Sequence, residues 1–531
     1  MKLKQIALAI GVTLMATAAV AAPITPAQIG AAQSAGTLQK AWISGASAPT
    51  RVIYEGWVDG CDANTNSIFV SQTGTAVIPG SIGNFLAYAC TRGGVASVLF
   101  HTIDGGSLNA YAPHTVGTKL ARMSLASIIA TTSTPLAYPD ASQPLNNANV
   151  YKGVGQVGSA QLTVGATCTP TVANTTAPAT CTGGTIGTAN SGTVTQTNYN
   201  NQQIATAAAV AGDANGPQLP VGGFSDVEAA LFPAALGGGN VSSKGTEAQA
   251  NIGQVFGVAV STNLYRAMQA AQGINSAADT NFDPALAPNI TSQQYAAIID
   301  SDVGSAYKQD WSLLAGTAGA GKKVILARRV PTSGSQAASN AFFLRTPCVD
   351  AVQGNLAPAT AADTIPGVFE VSENASTGNV KTTLTAANTA GNFAIGVMSA
   401  ENDWSLESAT ASPLANGYRW IKVDGIHPET ATDFTNPLNG RGNARLSAVT
   451  GNYPFHMETR YFVANTATGF GANIVPTIAA KLGNPPTAAA CNTVPRGLTL
   501  NPAGGSACTV GTVVHKGTNS GNNCAPTKLF F

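Results

Sequence analysis

Residues 323–344 read Lys-Val-Ile-Leu-Ala-Arg-Arg-Val-Pro-Thr-Ser-Gly-Ser-Gln-Ala-Ala-Ser-Asn-Ala-Phe-Phe-Leu. Residues 324–327 form a short apolar run of the kind a buried parallel strand uses. Arg328 and Arg329 stand where that strand ends, and Pro331 stops it. Thr332, Ser333, Gly334 and Ser335 then supply hydroxyl caps and a flexible backbone. Residues 337–344 read as helix, with Ala338, Ala341 and Phe342 on one face. A strand, an Arg, a Ser/Gly turn and a helix start make a seat for an anion. N–H groups of a first helical turn have no partner within the helix, and the dipole favours negative charge there. An Arg adds a forked, charge-assisted contact. For a single turn of this kind, plain capping by Ser335 and solvated Arg side chains is the simpler reading. Three more such turns in the chain shift the balance.

The first of these lies in residues 38–58. Ala41-Trp42-Ile43 leads through Ser44-Gly45-Ala46-Ser47-Ala48-Pro49 to Val52, Ile53, Tyr54 and Trp57. Ser47 is the expected N-cap, with Pro49 in the first turn. The next spans residues 95–111, where Val98-Leu99-Phe100 turns at Asp104-Gly105-Gly106-Ser107. The last opens with Gly222-Gly223-Phe224-Ser225-Asp226, where Ser225 is expected to cap a helix running to Phe232. Asp226 and Glu228 would then sit in its first turn, where the dipole favours acids.

Composition narrows the function classes. With 531 residues, the chain exceeds what one small core needs, so more than one domain or lobe is expected. Net charge is +1 and only 10% of residues are charged, so there is no basic stripe for nucleic acid. Lys2 and Lys4 precede the apolar residues 6–20, and Ala19-Val20-Ala21 offers a cleavage site. Residues 1–21 are therefore read as a secretory signal peptide. No Cys follows the cleavage site, so no lipid attachment is expected. No later stretch reaches the ~18 apolar residues of a membrane helix. The eight Cys suit an oxidising compartment. Cys61–Cys90 and Cys168–Cys181 are the expected local pairs; the pairing of Cys348, Cys491, Cys508 and Cys524 stays open.

Several motifs are absent or fail in context. Gly153-Val154-Gly155-Gln156-Val157-Gly158 matches a dinucleotide fingerprint but precedes a strand-like stretch, and the P-loop imitation at residues 316–323 ends in Lys. The five His are scattered, without metal-binding spacing, and no nucleophile elbow exists. Residues 116–220 are rich in Thr, Asn, Gly and Ala and read as a β-rich insertion. Residues 255–260 and 393–398 are apolar strands, residues 291–314 read as one helix, and residues 418–424 alternate before a turn at Gly425.

Taken in order, these turns resemble the phosphate-binding proteins of bacterial ABC importers, a branch of the type II periplasmic substrate-binding proteins. Gly45-Ala46-Ser47, followed by Tyr54 and Trp57, is similar to that family's first turn and helix. Gly106-Ser107 resembles its second, and Gly223-Phe224-Ser225-Asp226 its Phe-Gly-Ala-Ser-Asp motif. Arg329-Val330-Pro331-Thr332-Ser333-Gly334-Ser335 resembles its Arg-Ser-Asp-Gly-Ser-Gly-Thr motif, with Pro331 where the family has the Asp that holds its Arg. Ala394-Ile395-Gly396-Val397 and Tyr453-Pro454-Phe455 resemble later segments, and the likeness spans residues 38–115 and 220–470.

The resemblance implies an α/β, type II periplasmic-binding-protein-like fold: two α/β lobes joined by two crossovers, with a β-rich insertion. Its implied division is residues 22–255 for lobe 1, 256–417 for lobe 2, 418–482 for the return to lobe 1, and 483–531 for a disulfide-tied extension. It further implies that Ser47, Ser107, Asp226, Arg329, Ser333, Gly334 and Ser335 surround phosphate or a similar oxyanion, with no cofactor and no metal. An ABC importer membrane complex would be the partner, and the periplasm or the exterior the location. Asp226 can only accept a hydrogen bond, so it would favour a protonated phosphate over sulfate. The alternative expectation is a secreted or cell-surface structural protein that keeps this fold without binding an oxyanion. An enzyme is not expected, since no nucleophile–base set is present.

Overall fold

The computed structural model describes residues 22–71, 83–137, 149–158, 161–162, 167–169, 180–182, 186–187, 213–280, 282–300, 310–349, 369–402, 417–430, 444–483, 491, 494–501 and 507–529. The expected signal peptide and much of the 116–220 stretch lie outside them. The described chain is mixed α/β, built on one large mixed sheet of 14 strands.

The strands are β1 (Gln39–Gly45), β2 (Ser67–Val70), β3 (Phe85–Arg92), β4 (Val95–Thr102), β5 (Leu136–Ala137), β6 (Asn149–Tyr151), β7 (Gly222–Ser225), β8 (Gly245–Ser261), β9 (Val324–Arg329), β10 (Phe369–Asn374), β11 (Phe393–Ser399), β12 (Tyr418–Trp420), β13 (His456–Ala464) and β14 (Leu498–Leu500). Their order is β10-β9-β11-β8-β13-β7-β1-β4-β3-β2-β6-β5, with β12 and β14 also paired to β8. The helices used below are α1 (Pro26–Ser34), α2 (Thr50–Val58), α3 (Thr262–Ala271), α4 (Ser292–Ile299), α5 (Gly334–Ser339), α6 (Thr377–Thr389) and α7 (Gly469–Leu482).

Besides the parallel pair β2–β6, two sets of parallel strands occur. β1 runs parallel to both β4 and β7, and β9 runs parallel to both β10 and β11. Every residue of β9 and β11 is buried, as expected of central parallel strands covered on both faces. The long strand β8 connects the two sets. Its first part pairs with β13, from Gly245 opposite Ala464 to Val255 opposite His456. Its last part pairs with β11, where Phe256 faces Ser399.

Those registers decide where a site can form. At the end of β7, Ser225 lies opposite Arg460 of β13, which also pairs with Gln249 of β8. At the end of β11, Ser399 lies opposite Phe256. The carboxyl ends of the two sets therefore point toward each other across the middle of β8. In open α/β sheets the loops after strand carboxyl ends are where ligands sit.

Residue 255, the expected end of the first lobe segment, lies within β8. Within the expected return segment 418–482, β13 pairs with β7 and β12 with the far part of β8. Several local expectations need correction. The helix expected over 291–314 ends at Ile299, where Asp300 turns extended, and residues 301–309 lie outside the described set. The expected helix from Ser225 to Phe232 is a 3₁₀ turn, Ala229–Leu231, because the Ser225 hydroxyl bonds its own neighbour, the Val227 carbonyl, at 2.6 Å. The helix expected over 337–344 starts earlier, at Gly334, and finishes in a π turn, Asn340–Leu344.

Among the insertion residues described, Thr167–Thr169 and Thr180–Thr182 form an antiparallel pair with Cys168 opposite Cys181. Cys61–Cys90 is bonded as expected, and the open pairings resolve as Cys348–Cys524 and Cys491–Cys508. Among the described residues no helix is long and apolar enough to cross a membrane.

Candidate functional site

The loops after β4, β7 and β9 meet. β4 ends at Thr102, and a tight turn with Gly105 and Gly106 at positive φ brings Ser107 inward. The Ser107 hydroxyl donates to Asp226 Oδ2 at 2.8 Å, a buried bond between residues 119 apart in sequence. Asp226 follows β7 directly. Gly334 opens α5 and lies so close to this pair that a Cβ there would collide with Ser107 Oγ and Asp226 Oδ2. On the far side of the turn, Leu108 N–H donates to the Thr332 carbonyl at 3.1 Å. A Cβ on Gly106 would press on Ser333 Cα at 3.2 Å. The two parallel sets thus touch through glycine-lined backbone.

Arg329, the last residue of β9, is buried, and its pose is fixed without the Asp that Pro331 replaces. Nε donates to the Asn374 carbonyl at 3.3 Å, Nη2 to the Ala375 carbonyl at 3.0 Å, and Nη1 to Thr377 Oγ1 at 2.8 Å. These acceptors run from the last residue of β10 to the first of α6. A guanidinium has five N–H donors, so among the described residues two are left for another acceptor. Arg328 turns the other way and pairs with Glu373 at 3.2 Å.

The electrostatics follow from burial. Asp226 is 6% exposed and, among the described residues, its Oδ1 has no hydrogen-bond partner. Burial lifts its pKa to about 6, against the pull of Ser107 and Arg329. Burial also lowers Arg329 to about 10, opposed by Asp226 and Glu401. Glu401 lies two residues past β11, with Oε2 shut off from water and unpartnered, and burial together with the Asp226 charge raises its pKa to about 7.

The sequence-derived candidates divide as follows. Ser107, Asp226 and Gly334 are brought together, with Arg329 in electrostatic reach of Asp226. Ser333 and Ser335 are buried in the adjoining turn. Ser333, not Ser335, occupies the N-cap of α5, and its side chain makes no capping bond. For Ser47 the expected N-cap role is corrected. The residue is exposed, the N-cap of α2 is Pro49, and the Ser47 carbonyl rather than its hydroxyl accepts from Thr50 N and Oγ1 at 3.1 and 2.6 Å. Glu401 and Thr377 were not anticipated. A signal for Glu401 existed: an acid just past the apolar run 393–398 occupies the same kind of strand-end position as Asp226.

No protein-family model matches the chain, and no curated protein matches it. Among solved structures, an ABC-type phosphate transport receptor from Vibrio cholerae is similar over 45% of this chain and 69% of that chain, at 12% identity and a TM-score of 0.24.

Proposed function

We propose that the chain is an exported solute-binding protein that captures phosphate or a similar oxyanion in a cleft between two α/β lobes. The lobes would be joined by β8 and β13 and close on the ligand as a hinge. One observation carries the reading: Asp226 is buried beside Arg329 with Oδ1 unpartnered, on loops that converge from separate strands. A buried acceptor left open in this way suits a ligand that brings its own donor. Phosphate brings a P–OH for Asp226 and bare oxygens for the two spare Arg329 donors and the hydroxyls of Ser333 and Ser335, while Ser107 keeps its bond to Asp226. The role is capture rather than catalysis. The three disulfides between described cysteines, with the N-terminal sequence, support export to the periplasm or beyond, and an ABC importer would be the membrane partner.

Calorimetric titration tests this. Phosphate is expected to bind, sulfate not, and Asp226→Asn to narrow the difference, because an amide can donate to a proton-free oxyanion. No heat with phosphate, arsenate or sulfate would remove the binding role and favour a structural one.

A further inference from the structure

The site holds a second acid. Glu401 follows β11 as Asp226 follows β7, and each keeps one carboxyl oxygen, Oε2 and Oδ1, away from water without a hydrogen-bond partner. Arg329 of β9 acts electrostatically on both acids, and Lys381 of α6 and the Asp226 charge act on Glu401. Beside Glu401 in the chain, the Ala400 carbonyl accepts from Arg496 Nε at 3.0 Å. The neutral neighbours are Ser107 on Asp226 and Ser399 on Glu401. We propose that Asp226 and Glu401 act as a pair that fixes the protonation state of the bound ligand, so that phosphate is held together with two shared protons, in effect as dihydrogen phosphate. This rests on the oxyanion reading given above.

The chemistry is a matter of counting protons. A carboxylate oxygen and a phosphate oxygen repel unless a proton lies between them. Two such contacts need two protons, whether these start on phosphorus oxygens or on the carboxyls. Above neutral pH free phosphate carries mainly one proton. The second must then come from solvent. Burial already holds both acids well above the usual carboxylate range, which keeps that uptake within reach near neutrality. Sulfate brings no proton and would need both from the protein, so the pair excludes it more strongly than Asp226 alone.

Titration of inorganic phosphate in two buffers of different ionisation heat measures the protons taken up. At about pH 8.5 the wild type is expected to take up about one proton per phosphate, with affinity falling about tenfold more per pH unit than in Glu401→Gln. Glu401→Gln donates its own amide N–H and should take up about none, whereas Glu401→Asp should keep the uptake. Equal proton uptake and equal pH slope in wild type and Glu401→Gln would overturn the pair while leaving the oxyanion site standing. Phosphate binding by the wild type with no proton uptake at that pH would do the same without any variant. No phosphate binding at either end of the pH range would overturn both readings.

Discussion

Asp226 is a carboxylate that folding removes from water and supplies with one hydrogen bond, from Ser107 at 2.8 Å. Its pKa in the folded chain is about 6, raised from the ordinary carboxylate value of 3.8 chiefly by burial. The folded state therefore binds more protons than the unfolded state between these limits, and stability falls as pH rises through that window. Asp226→Asn removes the buried charge while its amide oxygen can still accept from Ser107. The substitution is expected to stabilise the ligand-free protein by on the order of 1–2 kcal/mol near pH 8 and to change little near pH 4. Urea unfolding at both pH values checks this, and destabilisation near pH 8 would mean the carboxylate has a partner that offsets its burial. Asp226 and Arg329 are legible as candidates because each stands at a strand end, and Ser107 and Gly334 because each lies in the Ser/Gly stretch that follows one. Glu401 is signalled only by its place just past the apolar run 393–398, with no turn motif beside it, and the Ser47 cap fails because Pro49 takes the N-cap position.

At the scale of elements, what holds the Arg329-to-Ser335 turn opposite Ser107 is the helix behind it. The π turn after α5 presents Phe342 and Phe343 to Phe455, with ring centroids 4.7 and 5.1 Å away, and Phe455 also meets Phe256 of β8 at 5.5 Å. Phe455 is fully buried just ahead of β13, so one ring locks the turn to the strands that join the two parallel sets. Phe455→Ala should cost about 3–5 kcal/mol, through lost burial and the cavity left behind. A denaturation midpoint within error of wild type would show that this cluster does not hold the turn. The apolar cores of β8, β9 and β11 were readable as short hydrophobic runs. The first part of β8 was not, because Thr246, Glu247 and Gln249 interrupt the pattern and the position of Glu247 is set by a partner distant in sequence. Tyr111 Oη donates to Glu247 at 2.6 Å, and Ala229 N donates to the same carboxylate at 2.8 Å. A helix was expected after Ser225 because Ser is a good cap, yet the hydroxyl satisfied the chain's own turn instead.

For the molecule as a whole, the C-terminal extension links parts that the sheet leaves apart. Cys524 bonds Cys348, 176 residues earlier, in the segment just beyond the α5 π turn. Its neighbour Asn523 is gripped on the other side of the site. Asn523 N donates to Glu228 Oε1 at 2.7 Å, Asn523 Oδ1 accepts from Glu458 N at 2.7 Å, and Gly521 N donates to Glu458 Oε2 at 2.6 Å. Glu228 lies two residues past Asp226, and Glu458 lies in β13. The tail therefore bridges the loop after β7 and the end of the α5 helical run, the two sides that bring Asp226 and Gly334 together. No sequence pattern could reveal this pairing, because four cysteines with unrelated spacing allow three connectivities. Replacing Cys348 and Cys524 together by Ser leaves the hydrogen bonds of Asn523 in place and removes only the covalent link. The loss frees a long stretch of the unfolded chain, so stability should fall by about 2–5 kcal/mol. Denaturant unfolding of the oxidised double variant against the oxidised wild type measures it. An unchanged midpoint would mean that Asn523 and Gly521 hold the tail by themselves, and the covalent bridge across the site would then contribute nothing to the folded state.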